Sequence, residues 1–248
     1  MPADLEGRTA IVTGGARGIG EAIVHRLAEA GCNIVINCHT SVDAAEALAE
    51  TVRAGGSGAE VVAGSIADPG TGEALATRAM EAFGRIDILV NNAGINRDVT
   101  IRKMTDDAFT EVIETNLTGT HRVTKAVLDP MCESGFGRIV SISSFVGQLG
   151  NYGQSNYAAT KGGLIAWTKT VAYEVARYGV TVNCVCPGFT ETDMLRGVSD
   201  DVREKLRARI PLGRFGSSDE VAQAVVYLVR DGDYITGSCL NINGGIFM

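Results

Sequence analysis

Short runs of β-branched and apolar residues alternate along the chain with longer segments that carry apolar residues on one helical face. The first run, 9–13, predicts a buried strand that leads into glycines at 14, 15, 18 and 20 and a helix to about residue 30. The same pairing recurs: strand 33–38 with helix 42–54, strand 60–63 with helix 71–83, and strand 86–90 ending at Asn91-Asn92-Ala93-Gly94. A long helical stretch covers 106–133, its pattern interrupted around Gly119, and Pro130 is expected to kink or loosen its last turn. Strand 138–143, helix 155–178 and strand 180–185 follow, then a loop with short helices to about 209. A helix at 217–229, with Ser217 or Ser218 as its N-cap, precedes a last strand at 239–242. Strand–helix alternation of this kind predicts an α/β, Rossmann-type, doubly wound parallel sheet of about seven strands with helices on both faces. No linker or repeat interrupts it, so residues 1–248 are expected to form one domain.

Composition narrows the picture. Aromatics make up only 6% of the chain against 31 glycines, which suits helices packed closely on a sheet. The net charge of −7 argues against a broad nucleic-acid surface but leaves room for a local phosphate pocket. No apolar run is long enough to span a bilayer, and the polar start lacks a signal-peptide core, so a cytoplasmic protein is expected. The six cysteines show no zinc or disulfide framework, and no metal is expected. Cys184 and Cys186 share a strand face, where they are read as space-filling.

The strand–turn–helix Thr13-Gly14-Gly15-Ala16-Arg17-Gly18-Ile19-Gly20 has the form of a dinucleotide turn. Glycines let the backbone approach a pyrophosphate, and the helix N-terminus meets its charge. The end of the second strand, Asn37-Cys38-His39-Thr40-Ser41, carries no carboxylate to bind ribose hydroxyls and repel a 2′-phosphate. Asn37, Thr40 and Ser41 offer donors instead, with His39 and Arg17 as cationic neighbours, so NADP(H) is favoured over NAD(H).

Tyr157 and Lys161 stand four apart on one helix face. A nearby ammonium is expected to lower the phenol pKa and make Tyr157 an acid or base near neutrality. Ser144 follows a strand thirteen residues earlier, where its hydroxyl would polarise a carbonyl; Ser143 is the neighbouring rival.

Together, TGGARGIG (13–20), NNAG (91–94), Asn116-Leu117-Thr118-Gly119, ISS (142–144), YAATK (157–161) and PGFTETDM (187–194) resemble the short-chain dehydrogenase/reductase family over almost the whole chain. Within it the chain is most similar to 3-oxoacyl-[acyl-carrier-protein] and acetoacetyl-CoA reductases, notably at 94–105, 147–164 and 234–245. The resemblance implies Tyr157 as proton donor, Lys161 as its electrostatic partner, Ser144 as the substrate-oxygen ligand, and Asn116 as holder of a relay water. It implies cofactor contacts at Gly14, Arg17, Gly18, Ile19 and Gly20, at Asn92, Ala93 and Gly94, and at Pro187, Gly188, Thr190 and Thr192. Ser65 stands where relatives often carry Asp beside an apolar residue, here Ile66, in the adenine contact. It also implies a homotetramer packed through the helices at 106–133 and 155–178 and the last strand.

The implied substrate is a 3-oxoacyl thioester on acyl carrier protein or CoA, in fatty-acid or polyketide-type assembly. Another ketone or secondary alcohol, and a non-catalytic dinucleotide-binding scaffold, are the rival readings. Glu133-Ser134-Gly135-Phe136 is not basic, so a carrier-docking patch must come from Arg97, Arg102, Lys103, Arg177 or Arg207.

Overall fold

The computed structural model describes residues 3–191 and 199–248. Its core is one sheet of seven parallel strands: β1 (Thr9–Val12), β2 (Asn33–Cys38), β3 (Ala59–Ala63), β4 (Ile88–Asn91), β5 (Gly137–Ile142), β6 (Val180–Pro187) and β7 (Cys239–Ile242). The order across the sheet is β3-β2-β1-β4-β5-β6-β7. The chain therefore winds outward from β1 in one direction, returns, and winds outward from β4 in the other. Between β1 and β4 the connections leave to opposite sides, which opens a crevice at the carboxyl ends of the strands.

Helices α1 (Gly18–Glu29), α2 (Val42–Ala54) and α3 (Thr71–Phe83) follow the first three strands. Helices α4 (Asp106–Ile113), α5 (Thr120–Ser134), α6 (Val146–Leu149) and α7 (Ser155–Val175) flank β5. One core layer joins β1, β2 and β6 to α1, α2 and the helix Ser218–Arg230; the other joins the opposite face to α3, α5 and α7. Strands β1, β4, β5 and β6 are buried throughout, as continuous apolar runs in a doubly covered sheet should be. The Ser218–Arg230 helix begins with a full capping box, Ser217 and Glu220 each bonding the other's backbone.

The interruption expected near Gly119 takes a definite form in the structure. The long stretch at 106–133 is not one α-helix, because Glu114–Gly119 forms a π-helical turn between α4 and α5. A β-carbon on Gly119 would stand 2.8 Å from the Ile66 carbonyl oxygen, so this turn needs glycine to pass the loop after β3. Pro130, expected to kink or loosen the last turn, lies inside α5, which continues to Ser134 before Gly135 turns left-handed at φ 70°. Among the described residues, no helix is long and apolar enough to cross a membrane.

Candidate active site

Most of the sequence-selected groups lie at the carboxyl ends of β1, β2, β4, β5 and β6. Gly14 and Gly18 adopt left-handed φ values of 59° and 57°, open to glycine without strain. A β-carbon on Gly20 would meet the Gly14 carbonyl oxygen at 2.2 Å and Asn92 Nδ2 at 2.6 Å, so only glycine lets α1 start this close to the turn. The result is a bare backbone cradle at the N-terminus of α1, with Ile19 partly buried behind it and Arg17 exposed at its mouth. These features fit a pyrophosphate.

The cradle is tied to the β4 end through Thr13, a residue outside the sequence-predicted set. Its buried hydroxyl donates to the Val90 carbonyl at 3.3 Å and accepts from the Asn92 and Ala93 amides at 2.9 and 3.1 Å. Asn92 Nδ2 returns two bonds, to the Thr13 and Gly14 carbonyls at 3.0 and 2.9 Å. Thr13 heads the glycine motif, and that position was its only signal in the sequence.

Asn37 corrects an expectation. Its side chain is buried, donating to the Val62 and Gly64 carbonyls at 3.1 and 3.0 Å and accepting from Gly14 N at 3.4 Å. It splices β2 to the glycine turn and to the end of β3, and has no proton left for a phosphate. His39 and Thr40 are exposed and Ser41 is partly exposed at the start of α2. Ser65 accepts from Ala67 N at 3.2 Å, forming a local turn, while the Ile66 side chain belongs to the core.

On the other side of the crevice, Ser144 accepts from Val146 N at 3.1 Å and lies near enough to Tyr157 to draw its phenol pKa down. Its rival Ser143 donates to the Lys161 backbone carbonyl at 2.8 Å and is packed inside. Lys161 is buried, its Nζ donating to the Ile142 carbonyl at 2.7 Å and standing 5.5 Å from the Tyr157 ring centroid. The empty side of Gly94 faces the same point: a β-carbon there would be 3.6 Å from Lys161 Nζ and 3.2 Å from Asn116 Oδ1.

Asn116 sits in the π turn and clamps Ile95, accepting from its amide and donating to its carbonyl, both at 2.8 Å. Its second amide proton goes to Thr160 Oγ1 at 3.3 Å. Both protons are thus committed, so the side chain holds the Gly94–Ile95 segment rather than offering a donor to water. Asn156, also missed in the sequence, donates to the Arg97 carbonyl at 3.0 Å and accepts from Tyr157 N at 2.7 Å, anchoring the loop beside the tyrosine.

A family model for short chain dehydrogenases matches residues 8–203. The chain belongs to the short-chain dehydrogenases. This short-chain dehydrogenase is 46% identical over 246 residues to the Escherichia coli (strain K12) 3-oxoacyl-[acyl-carrier-protein] reductase FabG, covering 99% of each chain. The Vibrio harveyi FabG gives the same figures, and that of Staphylococcus aureus (strain Mu50) is 40% identical over 242 residues, 97% of this chain and 98% of its own.

The electrostatics of this dehydrogenase depart from the sequence expectation. Burial pushes the Tyr157 phenol up to about 12, against the lowering influence of the neighbouring Ser144 hydroxyl. Burial also lowers Lys161 to about 8. Desolvation is the largest influence on the phenol, and it favours the protonated form near neutral pH.

Pro187 and Gly188 end β6. Pro187 accepts from Phe145 N at 3.0 Å, and a β-carbon on Gly188 would lie 2.8 Å from Asn243 Cα. Thr190 is buried, its hydroxyl donating to the Gly188 carbonyl at 3.3 Å, so it braces this loop from within. Thr192 lies outside the described residues.

Proposed function

We propose that this dehydrogenase reduces the ketone of a 3-oxoacyl thioester, on acyl carrier protein or CoA, to the 3-hydroxyacyl thioester with NADPH. The observation that carries the reading is the gathering of Ser144, Tyr157 and Lys161 at the carboxyl edge of the sheet, with Lys161 Nζ tied to the Ile142 carbonyl at 2.7 Å and 5.5 Å from the Tyr157 ring centroid. The near-full-length relatives named as 3-oxoacyl-[acyl-carrier-protein] reductases support the substrate class.

The nicotinamide dinucleotide supplies the hydride when bound. Its pyrophosphate would be held by the backbone at Gly14, Gly18, Ile19 and Gly20, with Asn92, Ala93, Gly94, Ser65 and Ile66 bordering the adenosine side. Pro187, Gly188 and Thr190 shape the opposite wall. Arg17, His39, Thr40 and Ser41 form the surround of a 2′-phosphate; no carboxylate among the described residues bonds Arg17, so its charge stays available.

Tyr157 donates its phenolic proton to the ketone oxygen as charge develops there. Ser144 fixes that oxygen by a hydrogen bond, and Lys161 stabilises the tyrosinate left behind. Asn116 is a positioning residue: it sets Gly94 and Ile95 against Lys161.

Two of the five basic candidates for carrier docking are neutralised, Arg97 by Glu111 and Arg207 by Glu204. Of the three that remain, Arg177 stacks on Tyr178, while Arg102 and Lys103, exposed on the loop that Val99 and Asp98 tie to Gly153 and Gln154, stand next to the Tyr157 segment as the docking cations. The assembly is a homotetramer through α4, α5 and α7.

The deciding experiment follows nicotinamide absorbance with acyl-carrier and CoA thioesters of graded chain length. Turnover with NADPH on 3-oxoacyl thioesters, well above that with NADH, is expected. Activity confined to unrelated ketones would replace the thioester reading, and a preference for NADH would overturn the role of Arg17.

A further inference from the structure

The third cysteine of interest becomes visible only in the sheet register. Cys184 pairs with Cys239 across β6 and β7, and Cys186 lies two residues further along β6. Residues two apart share a face and cross-strand partners point the same way, so all three thiols stand on one side of the sheet. Their sulfurs all lie within 4.8 Å of one another, with Cys186 Sγ and Cys239 Sγ at 2.8 Å. Cys184 and Cys186 are fully buried and Cys239 is partly exposed, which gives the cluster an entrance.

The register argues against a disulfide between the closest pair. Cys186 and Cys239 are diagonal neighbours; with strands about 4.8 Å apart and two residues spanning about 6.6 Å, their α-carbons are roughly 8 Å apart. A disulfide needs about 4.4–6.8 Å. A single soft ion faces no such limit. Three sulfurs each about 2.3 Å from one tetrahedral ion lie about 3.8 Å from each other, inside the span these thiols occupy.

Gln148, at the end of α6, supplies an independent pointer. Its Nε2 donates to Cys239 Sγ at 3.3 Å, while its buried Oε1 has no hydrogen-bond partner. Turning the amide over brings that orphaned oxygen to the sulfurs as a fourth donor. Charge is also provided for. Three thiols binding a divalent ion release three protons and leave one net negative charge, and Lys169 and Lys161 are the cationic neighbours of Cys239 and Cys186.

We propose that Cys184, Cys186 and Cys239 form a binding site for one soft, thiophilic cation of the zinc, cadmium and copper(I) type, completed by the Gln148 amide oxygen. The site lies apart from the glycine turn but directly precedes Pro187 and Gly188 at the end of β6 and has Lys161 for a neighbour, and its occupancy is tested without turnover. Thiolate ligands select such ions over hard, oxygen-seeking ones.

The test is a Cd²⁺ titration of the whole, fully reduced protein, with Mg²⁺ as a control. A thiolate-to-cadmium ultraviolet band saturating at about one Cd²⁺ per chain is expected, together with a higher melting temperature and loss of reactivity at three thiols. Zn²⁺ should compete and Mg²⁺ should not. Cys184→Ala/Cys186→Ala/Cys239→Ala should lose the band, whereas Cys132→Ala keeps it. Should the triple variant fail to fold, Cys239→Ser, at the partly exposed position, is expected to weaken Cd²⁺ at least tenfold. No band in the parent protein, a band that survives the triple change, or unchanged affinity in Cys239→Ser overturns the proposal.

Discussion

The two walls of the crevice are made of different material. Around β1, β2 and β4 the surface is backbone: glycines with no room for a β-carbon, stitched by Thr13, Asn37 and Asn92. Around β5 and α7 it is side chain: Ser144, Tyr157 and Lys161, with Ser144 bonded to Val146, Lys161 bonded to Ile142, and the Lys161 ammonium 5.5 Å from the Tyr157 ring centroid. A backbone wall presents fixed N–H dipoles to any phosphate and fails when atoms are added. A side-chain wall holds groups that change protonation, and it fails when atoms are removed.

The sharpest test of the side-chain wall is Tyr157→Phe. Losing a general acid costs roughly 10²–10⁴-fold in rate. We expect that loss in kcat with the melting temperature nearly unchanged, and a variant retaining full turnover would dismantle the mechanism.

The backbone wall breaks in the opposite way, through Gly20→Ala. The added carbon has nowhere to go between Gly14 and Asn92. Overpacking of this kind costs about 1–3 kcal/mol. Thermal denaturation should report that loss, and NADPH affinity should fall with it; an alanine variant with wild-type stability would show that the turn yields.

Protonation separates the walls next. Lys161 titrates at about 8 rather than at its ordinary 10.5, because burial disfavours the ammonium. Reduction should therefore decline as pH rises through about 8, approaching tenfold per unit. Stability should move the other way. Between about 8 and 10.5 the unfolded chain holds the proton that the folded one has lost, so unfolding free energy increases with pH across that window. A kcat profile flat to pH 10 would refute the assignment.

Arg17→Ala is the smallest change. Its side chain is exposed, and the loss of one solvent-screened phosphate contact is worth about 1 kcal/mol, roughly fivefold. The KM for NADPH should increase by that factor while the KM for NADH stays put.

Much of this was legible in the sequence because it is local. Alternating strands and helices set the seven-stranded parallel order of material, the glycine turn declares a close backbone approach, and the spacing of Tyr157 to Lys161 places both on one helix face. The break in the helix at 106–133 was visible as a lapse near Gly119, but its cause was not. That cause is the Ile66 carbonyl and the Asn116 clamp on Ile95, contacts with chain remote in sequence.

The sequence alone determined the periodicities, the glycines and the spacing of Ser144, Tyr157 and Lys161, since these depend on chain geometry within a few turns or one strand. Tertiary structure decided the rest. It buried Asn37 as a splice instead of a phosphate ligand, gave Ser143 to the packing and Ser144 to the cleft, and kept Tyr157 protonated. It also brought Cys239 to Cys184 and Cys186. Burial and cross-strand register govern each of these, and both arise only when segments distant along the chain meet.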